Sequence, residues 1–194
     1  MALRKLYNWV LHWAQTPYSV PVLFGLAFIE SSIFPIPPDV LLIAMVLSRP
    51  PRAFHYAAIC SVGSVIGGLF GYAIGYFLWQ TLHGFFIAHI FSQHIFDVVS
   101  QKYEVYSFWV VFTAALTPIP YKIFTIAGGV CGINLAGFLI ASIIGRSMRF
   151  FLVATLLYFW GEKTKKFISR YLEWLTIAFA ALLILGFVVI KKML

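Results

Sequence analysis

The tripeptide Pro-Ile-Pro occurs twice, at Pro35-Ile36-Pro37 and at Pro118-Ile119-Pro120, and each copy falls near the middle of a long apolar stretch. Proline lacks a backbone N–H and its ring clashes with the preceding helical turn, so one helix does not run through two prolines placed two apart. A charged residue follows the second proline by two in each copy: Asp39 in the first, after a third proline at Pro38, and Lys122 in the second. The chain must therefore contain two breaks in otherwise helical apolar segments, and every backbone group that a break frees needs a partner.

What surrounds those breaks follows from composition. Of 194 residues, 62% are apolar and 10% charged, with a mean hydropathy of +0.93. Charged residues make up roughly a quarter of an ordinary globular sequence, so the chain reads as an all-α integral membrane protein that crosses the bilayer several times. In such a protein the net charge of +8 is first a topology signal, because basic residues collect in cytoplasmic loops. No basic patch interleaved with polar aromatics points to nucleic acid. Cys60 and Cys131 carry no metal-ligand spacing, and His89, His94 and Asp97 do not form a ligand set. Neither a metal nor a cofactor is expected, and no Ser, Cys or His combination suggests an enzyme.

Apolar segments cover roughly 18–47, 54–79, 105–131, 135–160 and 174–190. The second, fourth and fifth suit membrane spans, each of which needs about 20 residues. The first and third hold the breaks, which survive in a bilayer only where protein or a water-filled cavity surrounds them. Each is therefore expected to enter and leave on one side, as a re-entrant hairpin of two half-helices. Basic residues agree: Arg4, Lys5, Arg49, Arg52, Lys163, Lys165, Lys166 and Arg170 then share one side, eight against Lys102, Lys191 and Lys192 on the other. Full crossings would change the split to seven against four.

The halves also repeat. Pro35-Ile36-Pro37 is followed by Tyr72-Ala-Ile-Gly75, and Pro118-Ile119-Pro120 by Tyr158-Phe-Trp-Gly161, at nearly equal intervals. One crossing between two hairpins makes them enter from opposite faces, an inverted repeat of the kind that puts transporter substrate sites near the midplane. The expected organisation is an interfacial helix over 1–16, a first hairpin and span over 18–79, an interfacial connector over 80–104, a second hairpin and span over 105–161, and a C-terminal span over 174–190.

Ionisable groups inside a membrane need a partner, a cavity or a ligand, and five fall in these segments: Glu30, Asp39, Lys122, Arg146 and Arg149. Asp39 begins the outgoing half-helix, where an anion is favoured, whereas Lys122 opposes the dipole at the matching place. Lys122 therefore calls for a nearby anion, either Glu30, Asp39 or a ligand headgroup. Glu30, before the first break and followed by Ser31 and Ser32, is the candidate proton-coupling carboxylate, unless it belongs to a purely structural salt bridge. Arg146 and Arg149 lie one turn apart, Arg149 reading as the deeper, and arginine's planar fork suits phosphate. Gly63, Gly67, Gly71 and Gly75 form a close-packing face, expected to receive the helix of Ala141, Gly145 and Arg149.

FIESSIFPIPPDVLL, the second proline element TPIPYK, and the glycine-rich and YxxG spans resemble the DedA family, also called the SNARE-associated or VTT domain, and within it a YqaA-like bacterial branch. The resemblance covers about residues 18–161. It implies a bacterial inner-membrane protein, multi-pass; the side richer in basic residues, with the N-terminus and the loop 162–170, is expected to be cytoplasmic. It also implies transport or scrambling of lipid carriers such as undecaprenyl phosphate, with protons as a partner and Glu30 and Asp39 matching the family's essential acids. An arginine that many members carry in the second hairpin is Thr117 here, and Lys122, Arg146 and Arg149 are the basic residues left to hold a phosphate. The breaks would then comprise Pro35, Pro37 and Pro38 in one hairpin and Thr117, Pro118 and Pro120 in the other. Alternatives are a proton-coupled transporter of small solutes and a non-transporting scaffold or assembly factor; self-association into a homo-oligomer is open.

Overall fold

The computed structural model describes residues 18–33, 37–89, 93–117 and 119–161. Pro35, Pro118, the helix expected over 1–16, the loop 162–170 and the span expected over 174–190 lie outside them. The described residues form six α-helices and no strand: α1 (Ser19–Ser32), α2 (Asp39–Ser48), α3 (Ala53–His89), α4 (Gln93–Leu116), α5 (Tyr121–Val130) and α6 (Leu135–Gly161), with a short 3-10 turn at Pro50–Arg52 before α3. Both halves thus share one plan: a helix, a proline break, a ten-residue helix and a long helix.

Local chemistry sets these boundaries. Pro38 and Pro120 occupy the N-cap positions of α2 and α5, where a missing N–H costs nothing because the first amides of a helix have no internal partner. Gly132, at φ +62°, ends α5. The amides of Gly132 and Ile133 turn back to the carbonyls of Gly129 and Gly128, 3.1 Å each, a Schellman ending in which the left-handed residue is almost always glycine. Asn134 then starts α6, its side chain accepting from the Gly137 amide at 2.9 Å. The connector expected over 80–104 is not a separate element. Residues to His89 prolong α3 and those from Gln93 open α4, since neither stretch contains a proline or a glycine-rich turn.

α3 and α6 are the two described helices long and apolar enough to cross a membrane. At 1.5 Å per residue, the 37 residues of α3 extend about 55 Å, well beyond the roughly 30 Å of a bilayer core. Backbone approach shows how the shorter helices dock on it. Phe24 and Phe28 of α1 face Gly63 and Gly67; Tyr121, Thr125 and Ile126 of α5 face Gly68, Gly71 and Gly75. Residue numbers rise together, so α1 and α5 both run parallel to α3, one after the other along a single glycine face. The glycine face thus receives the two half-helices and not α6 as expected; the helix of Ala141 and Gly145 sets Gly145 against Phe112 and Ala115 of α4.

α6 runs antiparallel to α3, bringing Phe138 to Tyr72 and Tyr158 to Phe54. It carries the remaining two helices in the same end-to-end manner. Gly145 and Arg149 meet the last turn and end of α4, then Arg149 and Gly161 meet Asp39 and Leu47 of α2. Two apolar clusters result, one around Leu42, Met45, Cys60 and Phe150, the other around Val111, Tyr121, Ile133 and Phe138. The buried polar residues include Ser31, Ser64, Thr125, Ser142 and Arg146, whereas Val62, Ile66 and Phe70 of α3 and Ile140, Ile144 and Met148 of α6 are exposed. A polar middle with an apolar outside suits a protein whose solvent is hydrocarbon.

Candidate functional site

Where α1 ends, α5 begins. The freed carbonyl of Ile33 accepts from Lys122 Nζ at 3.2 Å, and that of Ser31 from Thr125 Oγ1 at 3.3 Å. The carbonyl end of one helix carries partial negative charge and the amide end of the next partial positive charge, so head-to-tail docking is favourable. This resolves the anomaly of a lysine in the first turn of α5. Its partner is neither Glu30 nor Asp39 but the partially negative carbonyl end of α1.

The second junction differs by one charge. α4 ends at Leu116, just before Thr117, α2 begins at Asp39, and here the first-turn residue is an anion facing a carbonyl end. Arg149 bridges the two, donating through Nη1 to the Thr117 carbonyl at 2.7 Å and through Nη2 to Asp39 Oδ2 at 2.8 Å. Thr117 thus supplies a backbone carbonyl, and its own hydroxyl donates back to the Thr113 carbonyl at 2.7 Å.

Between the junctions lies Arg146, only 2% exposed although it was expected to be the shallower of the two arginines. Arg149 keeps 18% of its side chain accessible. The order is reversed because Arg146 faces α1, α3 and α5 together, whereas Arg149 faces the ends of α2 and α4. Arg146 pairs with Glu30 Oε2 at 2.5 Å, donates from Nε to Ser64 Oγ, and reaches Ser31 Oγ at 3.3 Å. Its guanidinium carbon lies 4.9 Å from the ring centres of both Tyr121 and Phe150, two cation–π contacts that offset lost hydration. Tyr121 in turn donates to Ser142, which donates to the Phe138 carbonyl at 2.6 Å.

All five ionisable residues singled out in the sequence therefore meet in one layer, through two ion pairs and one lysine-to-carbonyl bond. Ser64, Tyr121, Thr125, Ser142 and Phe150 belong to the same layer and carried little signal in the sequence. Tyr121 and Thr125 stand four apart directly after Pro120, which puts them on one helical face; Ser64 adjoins Gly63 of the packing face.

The sequence matches the VTT domain over residues 36–159. The chain belongs to the VTT-domain, or DedA, family. This VTT-domain protein is also similar to an uncharacterised protein of Haemophilus influenzae, 34% identical over 187 residues, 96% of this chain and 97% of that protein. An uncharacterised protein of Histophilus somni is 33% identical over 186 residues, with the same coverage. No solved structure matches it. Family membership and the two long apolar helices identify a membrane protein.

Proposed function

We propose that this protein moves a phosphate-bearing lipid, undecaprenyl phosphate or a phospholipid, between the leaflets of a bacterial inner membrane, with protons as the coupling partner. In this reading the two broken segments are re-entrant hairpins opening from opposite faces, and the headgroup passes through the layer between them while the tails stay in the bilayer. The observation that carries it is Arg149. A partly accessible guanidinium, held between the Thr117 carbonyl and the Asp39 carboxylate at the meeting point of two half-helices, presents the planar donor set that phosphate takes.

The pairing also supplies a route to coupling. A phosphate can take the place of the Asp39 carboxylate on Arg149, and protonating that carboxylate removes its claim on the guanidinium. Lys122, which holds only a neutral carbonyl, is a second contact for the headgroup. Arg146 is a third, once the Glu30 pair opens; protonation of Glu30 and Asp39 admits the anion, and their deprotonation drives its release.

Reconstitution tests this: lipid labelled in one leaflet of proteoliposomes, followed with and without a proton gradient. Wild type is expected to flip the label faster under a gradient, and Glu30→Gln and Lys122→Ala to reduce the rate at least tenfold. A folded wild type that flips nothing, or variants that match it, would end the transport reading. That outcome would favour a scaffold, a role consistent with Arg146 pairing within the protein through Nε and Nη2.

A further inference from the structure

Glu30, Ser31, Ser64 and Arg146 close a ring of hydrogen bonds whose direction is set by what each group can do. A guanidinium only donates; Arg146 gives Nε–H to Ser64 Oγ and Nη2–H to Glu30 Oε2. Ser31 gives its hydrogen to Glu30 Oε2 at 3.1 Å. Ser31 Oγ and Ser64 Oγ are 2.6 Å apart, and since the Ser31 hydrogen is already on Glu30, Ser64 supplies the one between them. Hydrogens thus run from Arg146 through Ser64 and Ser31 to the carboxylate. Both serines are 0% exposed.

Protonating Glu30 weakens this order: with the hydrogen on Oε1, Oε2 still accepts from Ser31 and Arg146, but the oxygen of a neutral acid takes weaker hydrogen bonds than a carboxylate does. The other charged and titratable groups around the centre are Asp39 from α2, Cys60 from α3, Tyr121 and Lys122 from α5, and Arg149 from α6. None of these closes the hydroxyl ring, so substitutions at the two serines report on the ring alone.

We infer that Ser64 and Ser31 are positioning residues for Glu30, a hydroxyl relay that holds its charged carboxylate as an acceptor. The inference rests on the reading of Glu30 as the proton-coupling group, and its test does not use transport. The full-length protein in lipid nanodiscs is titrated by infrared spectroscopy, the Glu30 acid band being the one lost in Glu30→Gln. Ser31→Ala is expected to move that band's midpoint up by about one pH unit, the loss of one charge-assisted donor. Ser64→Ala is expected to move it in the same direction by less, and Ser64→Cys, a weaker donor of similar size, by less still. If Ser64→Ala does not accumulate as a folded protein, Ser31→Ala and Ser64→Cys decide. Unmoved or lowered midpoints in the folded variants overturn the relay. A shifted band in a protein that flips no lipid keeps the relay and removes the transport reading; an unmoved band in a protein that flips lipid does the reverse.

Discussion

Lys122 and Arg149 do the same local work at the two breaks: each neutralises the carbonyl end of a half-helix that proline cut short. Arg146 does something else. It is a nearly inaccessible charge whose partners are all protein groups, and truncating one member of such a pair leaves the other charged and dry. Arg146→Met is therefore expected to lower stability by about 3 kcal/mol, read as an earlier midpoint in denaturant unfolding in detergent. The double variant Glu30→Gln with Arg146→Met is expected to recover more than half of that loss, because both charges are then gone. Equal losses in the single and double variants would mean that Arg146 acts mainly through its packing on Tyr121 and Phe150, with the ion pair contributing nothing measurable.

Among the helices, the glycine face of α3 decides how deeply the half-helices can dock. A methyl group added at Gly67 would overlap the Phe28 carbonyl, one at Gly75 the Ile126 carbonyl, and one at Gly129 of α5 the Tyr72 carbonyl. Backbone cannot yield as a side-chain tip can, so Gly67→Ala, Gly75→Ala and Gly129→Ala must push α1 or α5 away from α3, at a cost of about 1–3 kcal/mol each. Gly25 and Gly84 have nothing within 4 Å of the same added atom. Gly25→Ala and Gly84→Ala are expected to leave stability unchanged or raise it by up to about 1 kcal/mol through helix propensity alone. Thermal unfolding of the five variants in one detergent separates close packing from propensity; a uniform effect across all five would remove the docking argument.

Over the molecule as a whole, the parallel runs of α1 and α5 along α3, and of α4 and α2 along α6, fix which ends lie together. Tyr76, Trp79 and Phe96 line one cavity with Gly129, Cys131 and Gly132, so the first turn of α4 and the α5–α6 turn lie beside the same part of α3. Leu47 meets Gly161 at the end of α6. If both proline segments crossed the bilayer completely, the chain at residue 94 and at residue 134 would face opposite compartments. Single cysteines placed by His94→Cys and Asn134→Cys, in a background without Cys60 and Cys131, are expected to react with an impermeant maleimide from the same side of sealed vesicles. Arg52→Cys is expected to react only from the other. Labelling of His94→Cys and Asn134→Cys from opposite sides would rule out paired re-entrant hairpins.

By itself the sequence determined the two breaks, the long apolar helices, the repeat, and which five charges belong in the interior. Prolines, hydropathy and the cost of burying charge are properties of short stretches, and they read directly. Partner choice was decided only in three dimensions. Nothing local says that Lys122 meets the end of a helix 89 residues away, that the α3 glycines serve α1 and α5 in place of α6, or that Arg146 lies deeper than Arg149. Each depends on which helix ends are brought face to face, and so on the pairing of the two halves. Ser64 is the clearest case: one hydroxyl among many apolar neighbours, given meaning only by an arginine 82 residues further along the chain.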